Sequence, residues 1–186
     1  MPAPKIILGT LAALVFLASA APAFAADVAG LSCPAQGLTS EMRETLRLGA
    51  KDLVARKKDT TIDPSVLDAI SHSIRQCREK LGWSKAASEA AVWYTIMSVM
   101  LPVLEDAVRA DGYAPDAVER VFRALPASVI AQFLANSVPQ DASLALMAAL
   151  EKARIQITSH EAAFHVGTLA GAIAYLDQSK ADFLSA

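Results

Sequence analysis

The chain has 186 residues, 54% of them apolar, with 17 Lys+Arg against 19 Asp+Glu for a formal net charge of −2. That length suits one domain of core-forming size, and the near-balanced charge gives no electrostatic reason to bind nucleic acid or an anionic membrane face. Two cysteines and three histidines, with no CxxC spacing, leave little material for a metal or redox centre.

The N-terminus reads as a cleaved export signal. Lys5 supplies a short positive region, Ile6 to Ala18 an apolar run, and Ala23-Phe24-Ala25 a small-x-small cleavage signal. The expected organisation is a leader over 1–25 and a single helical domain over 26–186, periplasmic or secreted. An exported protein meets an oxidising compartment, where Cys33 and Cys77 pair by default. Cys33 is no lipid-attachment cysteine, because Gly30-Leu31-Ser32 places leucine one residue too late.

After an irregular lead-in with Gly30, Pro34 and Gly37, a first helix is expected from Thr39 or Ser40 to about Lys57, with Met42, Leu46, Ala50 and Leu53 at helical spacing. The basic run Arg56-Lys57-Lys58 falls in its last turn, where cations offset the helix dipole. A loop over Asp59–Ile62 follows. Asp63-Pro64 then opens a second helix, with aspartate as cap and proline at the first position. Its stripe is Val66, Ile70, Ile74, Cys77 and Leu81, and Gly82 stops it.

The central element is the stretch from Ser84 to Ala110. From Ala90 to Leu104 it carries no charge, and a helix apolar all round is a buried one. The uncharged run of about 15 residues falls short of the ~20 that span a bilayer, so no membrane span is expected once the leader is removed. Pro102 is expected to kink its last turns. Shorter helices are expected over 115–124 and, after Pro126, over 127–137. Asp141 caps a helix over 142–156, and Thr158 with Glu161 fits a capping box that opens a last helix over 159–176; the competing reading is one continuous helix from 142 to about 176. The tail adds a turn through Phe183 and Leu184. No alternating strand pattern occurs. The fold class is all-α: an irregular bundle of six or seven helices around a buried central helix over about 84–110, with one disulfide.

Motifs that carry chemistry are scarce. His160-Glu161 begins like the zinc-hydrolase signature, but the second histidine is His165, five residues on and about 140° round a regular helix. Phe164 occupies the ligand position, so no metal or other cofactor is expected. Glu161 and His165, four apart, suit a local hydrogen bond or ion pair. His72 lies beside the second helix's apolar stripe, and Glu89 at the solvated edge of the central helix. No nucleophile elbow, phosphate loop or dinucleotide fingerprint is present.

Two further features are binding surfaces rather than catalysts. Ala163, Gly167 and Gly171, at steps of four, form a face for close helix packing, a homodimer seam or a partner. Trp93, Met97 and Met100 would line a pocket for an apolar ligand, because methionine adapts to irregular shapes. With a rich core and no catalytic spacing, the first expectation is a non-catalytic interaction protein of the cell envelope: an accessory subunit, an inhibitor or immunity-type protein, or a chaperone with a protein partner. The alternative is a carrier or sensor of a small apolar ligand held between helices. A third is an enzyme whose site assembles only in three dimensions.

Overall fold

The computed structural model describes residues 28–57, 62–135 and 137–186. The expected leader over 1–25, its cleavage signal, and the loop over 59–62 apart from Ile62 lie outside the described residues. A 3-10 turn, Val28–Ser32, leads into α1 (Cys33–Gly37), α2 (Ser40–Val54), α3 (Pro64–Leu81), α4 (Lys85–Ala110), α5 (Pro115–Arg123), α6 (Ala127–Ile130), a second 3-10 turn at Ala131–Leu134, α7 (Gln140–Lys152) and α8 (His160–Ser185). No strand occurs among the described residues, and the all-α expectation holds.

Local chemistry explains most of the boundaries. The side chains of Thr39, Asp63 and Ser84 accept backbone N–H groups at the starts of α2, α3 and α4. Hydrogen bonds from the Ser65 side chain and backbone hold the Asp63 carboxyl below its ordinary value. Its stabilisation of the helix is therefore full above the unfolded value and is lost as pH falls through the lowered folded value. α3 and α4 end at Gly82 and Gly112, both left-handed, as Schellman-type caps need.

α2 and α7 depart from the expected ends for a shared reason. In α2, Lys57 N–H donates to the Asp52 carbonyl and Arg56 N–H to that of Leu53. In α7, Ile155 and Arg154 donate in the same way to Leu150 and Glu151. These are Schellman motifs with an arginine, not a glycine, in the left-handed position, at φ 52° for Arg56 and 64° for Arg154. The sequence carries no glycine to mark them, so the predicted helices overran to 57 and 156.

α8 also differs from expectation. Its N-cap is Ser159, whose side chain accepts from Ala162 N–H, and not Thr158. Thr158 N–H is taken by the Tyr113 hydroxyl at 3.2 Å, and that hydroxyl donates to the Gln156 carbonyl at 3.0 Å, pinning the loop one residue out of the predicted register. At its far end α8 runs on through the expected extra turn to Ser185. The helix expected over 127–137 is α6 followed by the 3-10 turn. The turn is held where the Tyr175 hydroxyl donates to the Leu134 carbonyl at 2.9 Å, while Phe133 packs edge-on against Phe122 with 5.1 Å between centroids.

α4 is central. Its N-terminal half packs with α1, α2 and α3 in a first core that includes Leu46, Ile70, Trp83, Ala91, Ile96 and Phe183. Its C-terminal half, with Leu104 and Val108, packs with α5, α7 and α8 in a second core around Phe122, Leu146, Leu150 and Leu169. Met97 touches both. The most extensive helix pairing is α4 on α8, each 26 residues long. By length and composition α4 could cross a membrane, and among the described residues it is the one helix that could; its buried residues, from Ala87 to Val108, lie in the two cores. The helix continues through Pro102.

The Cys33–Cys77 disulfide ties α1 to α3 with Cα atoms 6.1 Å apart. Beside it the two helices nearly touch. The Ser73 hydroxyl, buried, donates to the Pro34 carbonyl at 2.9 Å, and a Cβ on Gly37 would lie 2.1 Å from that hydroxyl and 3.1 Å from Ser73 Cβ. Rotating Ser73 away would break its buried hydrogen bond. Gly37→Ala should therefore destabilise the protein by about 1–3 kcal/mol, in the range of overpacking. Urea unfolding measures this, and Gly37→Ala combined with Ser73→Ala should recover part of the loss.

Candidate functional site

One face of α8 borders an apolar cleft. Residues at steps of three and four share a helix face, and Ala163, Phe164, Gly167, Thr168, Gly171, Ala172 and Tyr175 make one stripe along a cleft of about 460 Å³. Met97, Met100 and Leu104 of α4 form the facing wall by the same spacing. Leu53 from the last turn of α2, Phe133 from the 3-10 turn, and Val138 and Ser143 beside α7 close the remaining sides. Two features read separately in the sequence, the small-residue face of Ala163, Gly167 and Gly171 and the methionines at 97 and 100, thus border the same space.

The glycines keep that space open. A Cβ on Gly167 would meet nothing within 4 Å, and one on Gly171 only the Phe133 carbonyl at 3.9 Å. On the adjacent face of α8, Val166, Leu169 and Ala170 are buried and share the second core with Leu104 and Val108 of α4. The close-packing role expected of Gly167 and Gly171 is therefore not the one their surroundings require. Trp93 is also displaced from its expected place. It is 49% exposed and does not line the cleft; its ring lies 5.7 Å from that of Tyr175, which does.

Among the described residues no charged side chain lines the cleft. Its hydroxyls already use their protons: Thr168 donates to the Phe164 carbonyl at 2.8 Å, Tyr175 to Leu134, and Ser143 to the Pro139 carbonyl at 3.3 Å. What they offer a ligand is acceptor lone pairs on an otherwise apolar wall. Such a site can hold and orient a molecule. It holds no paired acid and base.

The histidines lie elsewhere. His165 is buried on the side of α8 next to Phe164, and its Nδ1 lies 2.7 Å from the Asp111 carboxylate, 54 residues away in sequence. Its Nε2 lies 3.3 Å from the Val54 carbonyl at the end of α2. Both partners are acceptors, so the neutral ring donates to one of them and the protonated ring to both. This corrects the expected local pairing of His165 with Glu161, which is exposed. The triangle ties the ends of α2 and α4 to α8. His72 is exposed and paired with Gln76, and Glu89 is exposed and paired with Lys85 at 3.6 Å. Among the described residues no three His, Cys, Asp or Glu side chains group as metal ligands.

Sequence reasoning missed Leu53, Phe133 and Tyr175 as cleft residues, and treated Phe164 only as an obstacle to zinc. The spacing Phe164, Thr168, Ala172, Tyr175 was a usable signal. Compared with family models, curated proteins and solved structures, the chain matches none.

Proposed function

We propose that this is an exported, non-catalytic helical protein that binds a small apolar ligand in the cleft between α4 and α8, as a carrier or sensor. The observation that carries the reading is that Met97, Met100 and Leu104 face Gly167 and Gly171 across about 460 Å³ of apolar space. That volume lies within the ~300–1,000 Å³ usual for small-molecule sites, which are mostly apolar with a few fixed polar groups. The disulfide suits an oxidising compartment, periplasmic or extracellular, in line with the leader read from the sequence. The envelope interaction reading has less behind it. The exposed large apolar side chains, such as Leu48, Leu67, Trp93 and Leu144, are drawn from different helices, and scattered residues of this kind need no partner.

A neutral apolar dye, N-phenyl-1-naphthylamine, tests the site. The expected result is saturable binding at one dye per chain. Gly167→Leu should abolish it, because the new side chain enters open space beside Met97 and Met100. Leucine also favours a helix interior over glycine by roughly 1 kcal/mol, so the variant should melt no lower than the parent. Absence of saturable binding, or equal binding by a folded Gly167→Leu protein, would overturn the proposal.

A further inference from the structure

One cation stands at the rim of the cleft. The Arg56 guanidinium lies 4.8 Å from the centroid of the Phe164 ring, which is itself part of the wall. Leu53, one turn back on α2, lines the same cleft. Among the described residues Arg56 has no carboxylate partner. The charges around it are engaged elsewhere: Lys57 pairs with Asp52 at 2.5 Å, and Asp111 lies on His165 at 2.7 Å. The backbone holds Arg56 left-handed at φ 52°, a conformation that disfavours non-glycine residues. It also projects the side chain back across the helix end towards α8. Neither arginine lines the cleft itself; Arg154 has the same backbone at the end of α7, but it is Arg56 whose guanidinium lies over a ring of the cleft wall, so the backbone alone does not mark a site.

We infer that the ligand is an amphiphile with an anionic head, its apolar chain in the cleft and its head on Arg56. This rests on the ligand-binding reading above. A guanidinium stacked on an aromatic ring keeps its N–H fork free, and that fork matches carboxylate and phosphate oxygens two at a time. The walls recognise the chain by its lack of polarity, while Arg56 selects for charge at the mouth.

The test is competition against N-phenyl-1-naphthylamine by decanoate, decyl phosphate and decan-1-ol, which share a chain and differ in head. The wild type should bind at least one of the two anions about two- to fivefold more tightly than the alcohol, the range for a partly exposed charge pair, with the advantage shrinking as salt is raised. Arg56→Gln should remove the advantage while leaving dye and decan-1-ol binding unchanged. Arg56→Lys should keep part of it, and Arg154→Gln all of it. If neither anion outcompetes the alcohol, or if the preference survives in Arg56→Gln, the head-group assignment is wrong even though the cleft binds. If the dye itself does not bind, it is the ligand-binding reading that fails.

Discussion

Cys77→Ser should lower the melting temperature of the oxidised protein by on the order of 10 °C. The bridge closes a loop with a sequence separation of 44 residues. In the chain-entropy account a loop of that length restricts the unfolded chain by about 4 kcal/mol. The local setting adds to the loss. Cys77 is 3% exposed on the inward face of α3, so serine leaves a hydroxyl among apolar neighbours. Cys33→Ser lacks that second cost, since Cys33 is only half-buried, and should be the milder of the two. The double variant should fall close to Cys77→Ser, because both changes remove one bond. Differential scanning calorimetry with and without reductant gives the comparison. A melting point indifferent to reductant would show that the bridge does not form or does not constrain the unfolded chain.

Phe183→Ala should cost about 3–5 kcal/mol, the range for truncating a buried aromatic. Phe183 lies in the last turn of α8, yet it is fully buried. Its ring meets Trp83 edge-on at 5.0 Å, inside the core built by α1, α2 and α3. Removing it opens a void beneath the indole and detaches the end of α8 from the first core. Guanidinium unfolding followed by tryptophan emission should show a lower midpoint, with Trp83 reporting the new environment. Leu184→Ala, at a half-exposed neighbour in the same turn, should cost under 1 kcal/mol. Similar effects at the two positions would contradict this account of the core.

The contrast between Phe183 and Leu184 also marks where the sequence was legible. α3 was readable from end to end, because Asp63-Pro64 and Gly82 bracket a strong apolar stripe and each acts through local chemistry. α4 was readable because its composition left burial as the one outcome. The ends of α2 and α7 were not, since Arg56 and Arg154 occupy backbone positions that glycine usually announces. The start of α8 was shifted by Tyr113, a residue 45 positions before Thr158. For the cleft, each wall left a trace in its own helix: methionines on α4, small residues on α8. Their convergence is tertiary, as is the meeting of His165 with Asp111 and the Val54 carbonyl. No local pattern in sequence contains that information.

The place of α4 in both cores bears on how the molecule comes apart. Neither half has a complete hydrophobic interior without this helix, and Met97 packs into both. The halves therefore form one cooperative unit, and melting is all-or-none rather than stepwise. Free energy gained anywhere along α4 is shared by everything that packs on it. A molecule seated between Met100 and Gly167 would raise the unfolding temperature of the disulfide-bonded half as much as that of its own. By the same linkage, reducing the Cys33–Cys77 bond would make the whole unit, cleft included, easier to unfold.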